Sequence, residues 1–273
     1  MKWLKRILLS LLSILILATA TLYVWSNFLI GEKYPSIPRT VELTDNPDIT
    51  GEGERLAQVM GCYHGCHGAD MEGDVFLEDP LLGRFAAPNL TTAFERYSTT
   101  ELEAIIRQGV RPDGTSVLGM PSEGFSVMTD GHLSAILSFI QSYPKQDHDA
   151  GELRVGPLGR LGLVMGEFWV SASKVQPEPW TENDLRSPER HGEYLALNAC
   201  SECHGLDLQG QEGFTPALAI VNAYSYEDFN KLMTSGIGLG DRDLGLMSKV
   251  AEYRFSHLNP EEIQALYSFL HTD

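Results

Sequence analysis

The chain contains the same segment twice. Cys-His-Gly-Ala-Asp-Met-Glu-Gly at 66–73 is answered by Cys-His-Gly-Leu-Asp-Leu-Gln-Gly at 203–210. Upstream, Gly-Glu-Arg-Leu-Ala at 53–57 is answered by Gly-Glu-Tyr-Leu-Ala at 192–196. A duplication of this kind predicts two lobes built to one plan, with the same chemistry at the same point of each. That chemistry sits at the cysteines. Cys200-Ser201-Glu202-Cys203-His204 has the C-x-x-C-H spacing of a c-type haem attachment site. There the thiols bond the porphyrin edge and the adjacent His reaches the iron. Cys62-Tyr63-His64-Gly65-Cys66-His67 is the upstream counterpart, with one more residue between its cysteines.

The two motifs use all four cysteines of the chain and leave none for a disulfide. Zinc is the competing use of Cys62, Cys66 and His67. Zinc clusters usually bring a second pair within a few dozen residues, whereas these pairs lie about 137 residues apart. The expectation is two covalently attached haem c groups. Cys62, Cys66, Cys200 and Cys203 would hold the porphyrins, and His67 and His204 the irons.

The duplication also points to the opposite ligands. Gly109 to Met120 and Gly236 to Met247 are both eleven residues. A thioether opposite His raises the haem potential and saturates the iron. Met120 and Met247 are therefore the expected sixth ligands. Met128 and His257 are their rivals, and Met233, inside a predicted helix, reads as core. His64 is expected to be exposed and turned away from the His67 face. His132, His148, His191 and His271 read as surface residues.

Residues 1–31 open with Lys2, Lys5 and Arg6 and then run uncharged from Ile7 to Gly31, long enough to cross a bilayer. The basic flank predicts a cytoplasmic N-terminus, with the remainder exported. Ala18-Thr19-Ala20 would suit signal cleavage, but the apolar run continues past it, as in an uncleaved anchor. Residues 32–50 read as a stalk, 51–144 as the first lobe, 145–190 as a connector packing a helix or arm against the lobes, and 191–273 as the second lobe. Pro177-Glu178-Pro179-Trp180 marks the boundary. Helices are expected from Thr99 to Gly109, from Asp130 to Tyr143, from Tyr226 to Ser235 and after Asn259-Pro260. The formal net charge of −17 argues against nucleic acid as a partner.

Leu82-Gly83-Arg84-Phe85-Ala86-Ala87-Pro88-Asn89-Leu90-Thr91, Gly109-Val110-Arg111-Pro112-Asp113-Gly114 and Met120-Pro121-Ser122 resemble the cytochrome c subunits of membrane-bound alcohol and gluconate dehydrogenases. The resemblance spans roughly 50–273 and implies a class I cytochrome c fold, with His and Met ligands, in each lobe. The expected fold is all-α: an N-terminal transmembrane helix followed by two class I cytochrome c haem domains. The expected function is a membrane-anchored electron carrier, not an enzyme. It would relay single electrons between a quinol-oxidising complex or dehydrogenase and a terminal oxidase or other acceptor, on the periplasmic side. A fixed subunit of a respiratory complex and a dihaem peroxidase-like enzyme are the other readings. Those dehydrogenase subunits commonly carry three haem domains and a C-terminal anchor, whereas this chain has two lobes and an N-terminal apolar run.

Overall fold

The computed structural model describes residues 2–175 and 178–271. Met1, Gln176, Pro177, Thr272 and Asp273 lie outside the described residues, and with them Pro177 of the expected boundary. The uncharged run forms a single helix, α1 (Lys2–Gly31), whose most apolar stretch has none of its residues buried against the rest of the protein. At 1.5 Å per residue, its 30 residues exceed the thickness of a bilayer's hydrocarbon core.

The first lobe contains α2 (Pro47–Val59), the hairpin β1 (Asp74–Asp79) and β2 (Gly83–Ala87), and the helices α3 (Ala93–Arg96), α4 (Thr99–Gln108), α5 (Ser122–Phe125) and α6 (Asp130–Ser142). Between the lobes lie β3 (Arg154–Val155) and α7 (Pro157–Met165). The second lobe contains α8 (Pro188–Leu195), α9 (Ser201–His204), α10 (Tyr226–Ser235), β4 (Ile237–Gly238), β5 (Arg242–Asp243), α11 (Leu246–Tyr253) and α12 (Pro260–Leu270). Local chemistry fixes the ends of these helices. Ser98 and Glu101 form a capping box on α4, and Asn259 and Glu262 form one on α12. Gly109 and Gly236 close α4 and α10 in the left-handed region, at φ 67° and 68°, where a Cβ would be strained.

The leading glycine of each repeated pentapeptide has a packing role. A Cβ on Gly53 of α2 would lie 2.0 Å from the Ala135 carbonyl oxygen of α6. One on Gly192 of α8 would lie 2.2 Å from that of Ala265 in α12. Each lobe thus crosses its first and last helices backbone to backbone, and only glycine permits the approach.

The fold is mostly helical but not all-α. Strands β1, β2 and β3 form an antiparallel sheet, and β4 pairs with β5. The longer loop of the first lobe accounts for the main departure. Its extra residues fold back as the β1–β2 hairpin, where the second lobe has only a tight turn bridging Gln211 and Thr215.

The lobes meet along a seam that repeats itself. Arg55, two residues after Gly53, forms an ion pair with Glu262, the third residue of α12 (2.8 and 2.9 Å). Tyr194, two residues after Gly192, hydrogen-bonds His132, the third residue of α6 (2.8 Å). Equivalent positions therefore contact each other reciprocally, as they do across the two-fold axis of a symmetric dimer. His132 and His191 are half-buried at this seam, contrary to the surface reading. His271 is half-buried as well and stacks on Tyr267, whereas His148 is exposed.

Candidate functional site

The two motifs are presented differently. In the second lobe, a π turn (Ala196–Cys200) joins α8 to α9, so Cys200, Cys203 and His204 lie on one nearly continuous helix. In the first lobe, α2 stops at Val59, and Gly61 (φ 77°) and His64 (φ 51°) carry the chain through turns to His67. The additional residue of the upstream motif is accommodated in these turns. His64 itself is exposed.

Both motif histidines are buried and held alike. His67 Nδ1 lies 2.8 Å from the Pro88 carbonyl oxygen, and His204 Nδ1 lies 2.8 Å from that of Pro216. A carbonyl can only accept, so each Nδ1 carries the proton and each Nε2 keeps a free lone pair. Burial also lowers the His67 pKa, favouring the neutral, ligating form. The parallel continues downstream. Gly73 and Gly210 donate their N–H groups to the His67 and His204 carbonyls, at 2.8 Å in both cases. Met71 and Leu208 share a left-handed backbone, at φ 56° and 59°, that costs such side chains energy.

Cys62, Cys66, His67 and Met120 all line a largely apolar cavity of about 200 Å³ in the first lobe, far more than a water molecule needs. Its walls include Leu102, Ile106, Val117, Phe125 and Ile136. Met128, the rival ligand, lines the same cavity and is fully buried. The chain between the lobes straps down the Met120 loop. Ser171 donates its hydroxyl to the Met120 carbonyl at 2.5 Å, and Trp169 Nε1 donates to Glu123 at 2.8 Å.

In the second lobe, Met247 is half-buried on the first turn of α11 rather than in a loop, packed against the core. Met233 is core, as its place in α10 suggested. His257 is half-buried and gives its carbonyl to Arg55 at 3.0 Å.

These surroundings suit a haem held by thioethers. Burial pushes the free thiols of Cys62, Cys66 and Cys200 up to about 11, 12 and 12. Among the described residues no three His, Cys, Asp or Glu side chains converge as a metal-ion site. Arg96 and Arg111 also line the cavity, cations suited to the carboxylates of a porphyrin. Burial depresses the Arg111 pKa, against the nearby Asp113 carboxylate, which raises it.

The two motifs lie close together. Cys66 Sγ is 3.8 Å from Glu202 Oε1, inside the second motif. Arg254 is buried at the same place, donating to Glu202 (3.0 Å) and to the Val59 carbonyl (3.2 Å) and lying against Gly61. Neither Arg254 nor Arg55 stood out in the sequence. The proline carbonyls left a faint trace there, a Pro-x-Leu repeat at Pro88 and Leu90 and at Pro216 and Leu218.

Residues 190–272 match the Cytochrome c family. A match to that family over this lobe suggests covalently bound haem c and electron transfer. The chain is also 26% identical over 161 residues to the "Alcohol dehydrogenase (quinone), cytochrome c subunit" of Gluconacetobacter polyoxogenes, and equally to that of Komagataeibacter europaeus. The matched region is 55% of this chain and 34% of each relative, so the chain spans about a third of their length.

Proposed function

We propose that the chain is a membrane-anchored dihaem cytochrome c that relays single electrons. The observation that carries this reading is the doubled histidine geometry: two buried imidazoles, each following a cysteine pair, with Nδ1 tied to a proline carbonyl and Nε2 left available. Cys62, Cys66 and His67 would hold one haem, and Cys200, Cys203 and His204 the other. Met120 and Met247 would be the opposite ligands. The haem, when bound, supplies an iron that cycles between ferrous and ferric states. The chain's own work is to fix the imidazoles, keep the first cavity apolar, and hold the Met120 loop through Ser171. Contact between the lobes brings the two motifs close, with Cys66 Sγ 3.8 Å from Glu202 Oε1.

In this reading α1 anchors the chain in the cytoplasmic membrane, with both lobes on the periplasmic face. Donors would be a quinol-oxidising complex or a dehydrogenase, and acceptors a terminal oxidase or another redox protein. The likeness to dehydrogenase subunits favours a second reading, a fixed electron-transfer subunit within a larger complex. The test is the mass and haem content of the full chain purified from membranes. Two covalent haems per chain and two one-electron steps in a potentiometric titration are expected. A single haem would overturn the dihaem reading.

A further inference from the structure

Helix α7 places an uncovered apolar face beside the end of α1. Leu158, Leu161 and Met165, at i, i+3 and i+7, are 47%, 40% and 64% exposed, while Gly159 and Leu163 face inward. The tip of the β1–β2 hairpin extends the patch with Leu81 and Leu82, exposed to 54% and 41%. Tip and helix are one unit. The Leu158 and Gly156 N–H groups donate to the Leu81 and Leu82 carbonyls, at 2.9 Å each. A Cβ on Gly159 would come within 2.4 Å of the Leu82 carbonyl oxygen.

Arg160 fixes the level of this patch along α1. Its Nη1 donates to Ser26 Oγ (2.8 Å) and Asn27 Oδ1 (2.7 Å), and its guanidinium lies 4.5 Å from the Tyr23 ring centroid. Counted from Ile7, where the uncharged run begins, Ser26 lies roughly 30 Å along the helix, about one hydrocarbon thickness. Arg160 is therefore held where hydrocarbon gives way to phosphate headgroups, a level that suits a cation on an apolar stem. The hairpin tip carries one carboxylate, Asp79, whose Oδ1 is occupied by the Leu81 and Leu82 N–H groups (2.8 Å each).

We infer that α7 and the hairpin tip form a second membrane contact, lying in the outer leaflet's interface and fixing how the lobes stand above the bilayer. The inference rests on α1 spanning the membrane. An unanchored protein of this acidity would be repelled by anionic lipid, so the contact is an apolar one delivered by α1.

The test uses the full haem-loaded chain in vesicles of phosphatidylethanolamine and phosphatidylglycerol, doped with a phospholipid bearing a photoactivatable diazirine on its acyl chain. Irradiation followed by peptide mass mapping should find adducts on 157–166 and on 76–83 as well as on α1. Phe214, Ile220 and Tyr253, apolar side chains 59%, 50% and 57% exposed on the second lobe, should stay clean. Leu161→Glu with Met165→Glu should remove most of the α7 adducts and leave those on α1. Adducts on α1 alone would overturn the inference, preserve the anchor and leave the patch to a protein partner. Adducts on neither would sink the anchor reading, and the inference with it. Equal labelling of Phe214 and Ile220 would also overturn the inference, because the patch would then be no different from the rest of the surface.

Discussion

Replacing Arg55 by Met removes the cation from one end of the seam between the lobes. The guanidinium makes two contacts with Glu262 (2.8 and 2.9 Å), two with Glu52 (2.9 and 2.6 Å) and one with the His257 carbonyl (3.0 Å). The Glu262 side chain is 7% exposed, so its stranded carboxylate can recover little from water. Breaking a buried pair costs about 3–5 kcal/mol. The Glu52 side chain is 42% exposed, and its share is worth at most about 1 kcal/mol. A loss of about 3–4 kcal/mol is expected, lowering the melting temperature by roughly 10 °C for a unit of this size. Calorimetry or haem-band melting in detergent would measure it. A double-mutant cycle with Glu262→Gln isolates the pair, with an expected coupling of about 2 kcal/mol. Acid gives an independent check. The Arg55 hydrogen bond holds the Glu52 pKa below the usual carboxylate range. The stability Glu52 contributes is thus fully present above its unfolded value and lost as pH falls through the folded one. The gap between wild type and Arg55→Met should narrow over that acid window. A coupling below about 0.5 kcal/mol would refute the closed seam.

At the other end of the seam, burial lowers the His132 pKa, while Glu182, Glu52 and Glu262 pull it up and Arg55 opposes them. The unfolded chain therefore takes up the proton first. Stability should fall as pH drops below about 6.5, and His132→Gln should flatten that slope in pH-dependent melts. Gly192→Val pushes a side chain into the Ala265 carbonyl and should cost about 3 kcal/mol or more by chemical unfolding. Met120→Ala and Met247→Ala should each lower one midpoint potential, by on the order of 0.1 V, and open one iron to carbon monoxide; unchanged titrations would refute the ligand assignment. Arg254→Met leaves Glu202 uncompensated between the motifs and should lower both potentials by tens of millivolts, on the order expected for a charge at close range.

What the sequence conveyed well was whatever is settled within a few residues. Gly109 and Gly236 stop their helices because glycine alone enters the left-handed region cheaply, and Ser98 with Glu101 caps α4 through contacts three residues apart. The histidines were visible because the cysteines beside them fix the chemistry. Distant pairings stayed hidden. Arg55 and Glu262 are ordinary surface residue types, 207 positions apart. His132 was read as a surface residue because no chemistry-bearing residues surround it in sequence, and Tyr194, 62 positions away, reaches it only once the lobes meet. The apolar segment holding α7 is broken by Gly159 and Gly162, so its periodicity could not reveal that it lies beside α1. The β1–β2 hairpin was missed for a similar reason: the residues of β1 are largely exposed and carry little alternation.

The reciprocal seam has a consequence for how such a protein can change. Two identical subunits must accept every mutation twice, once on each side of their axis. Here the duplicated halves share one chain, and the matching positions have already parted ways, a guanidinium with a carboxylate at one end and a phenol with an imidazole at the other. One corner answers to salt and acid, the opposite corner to protons near neutrality. Joining the copies freed each corner to be revised on its own.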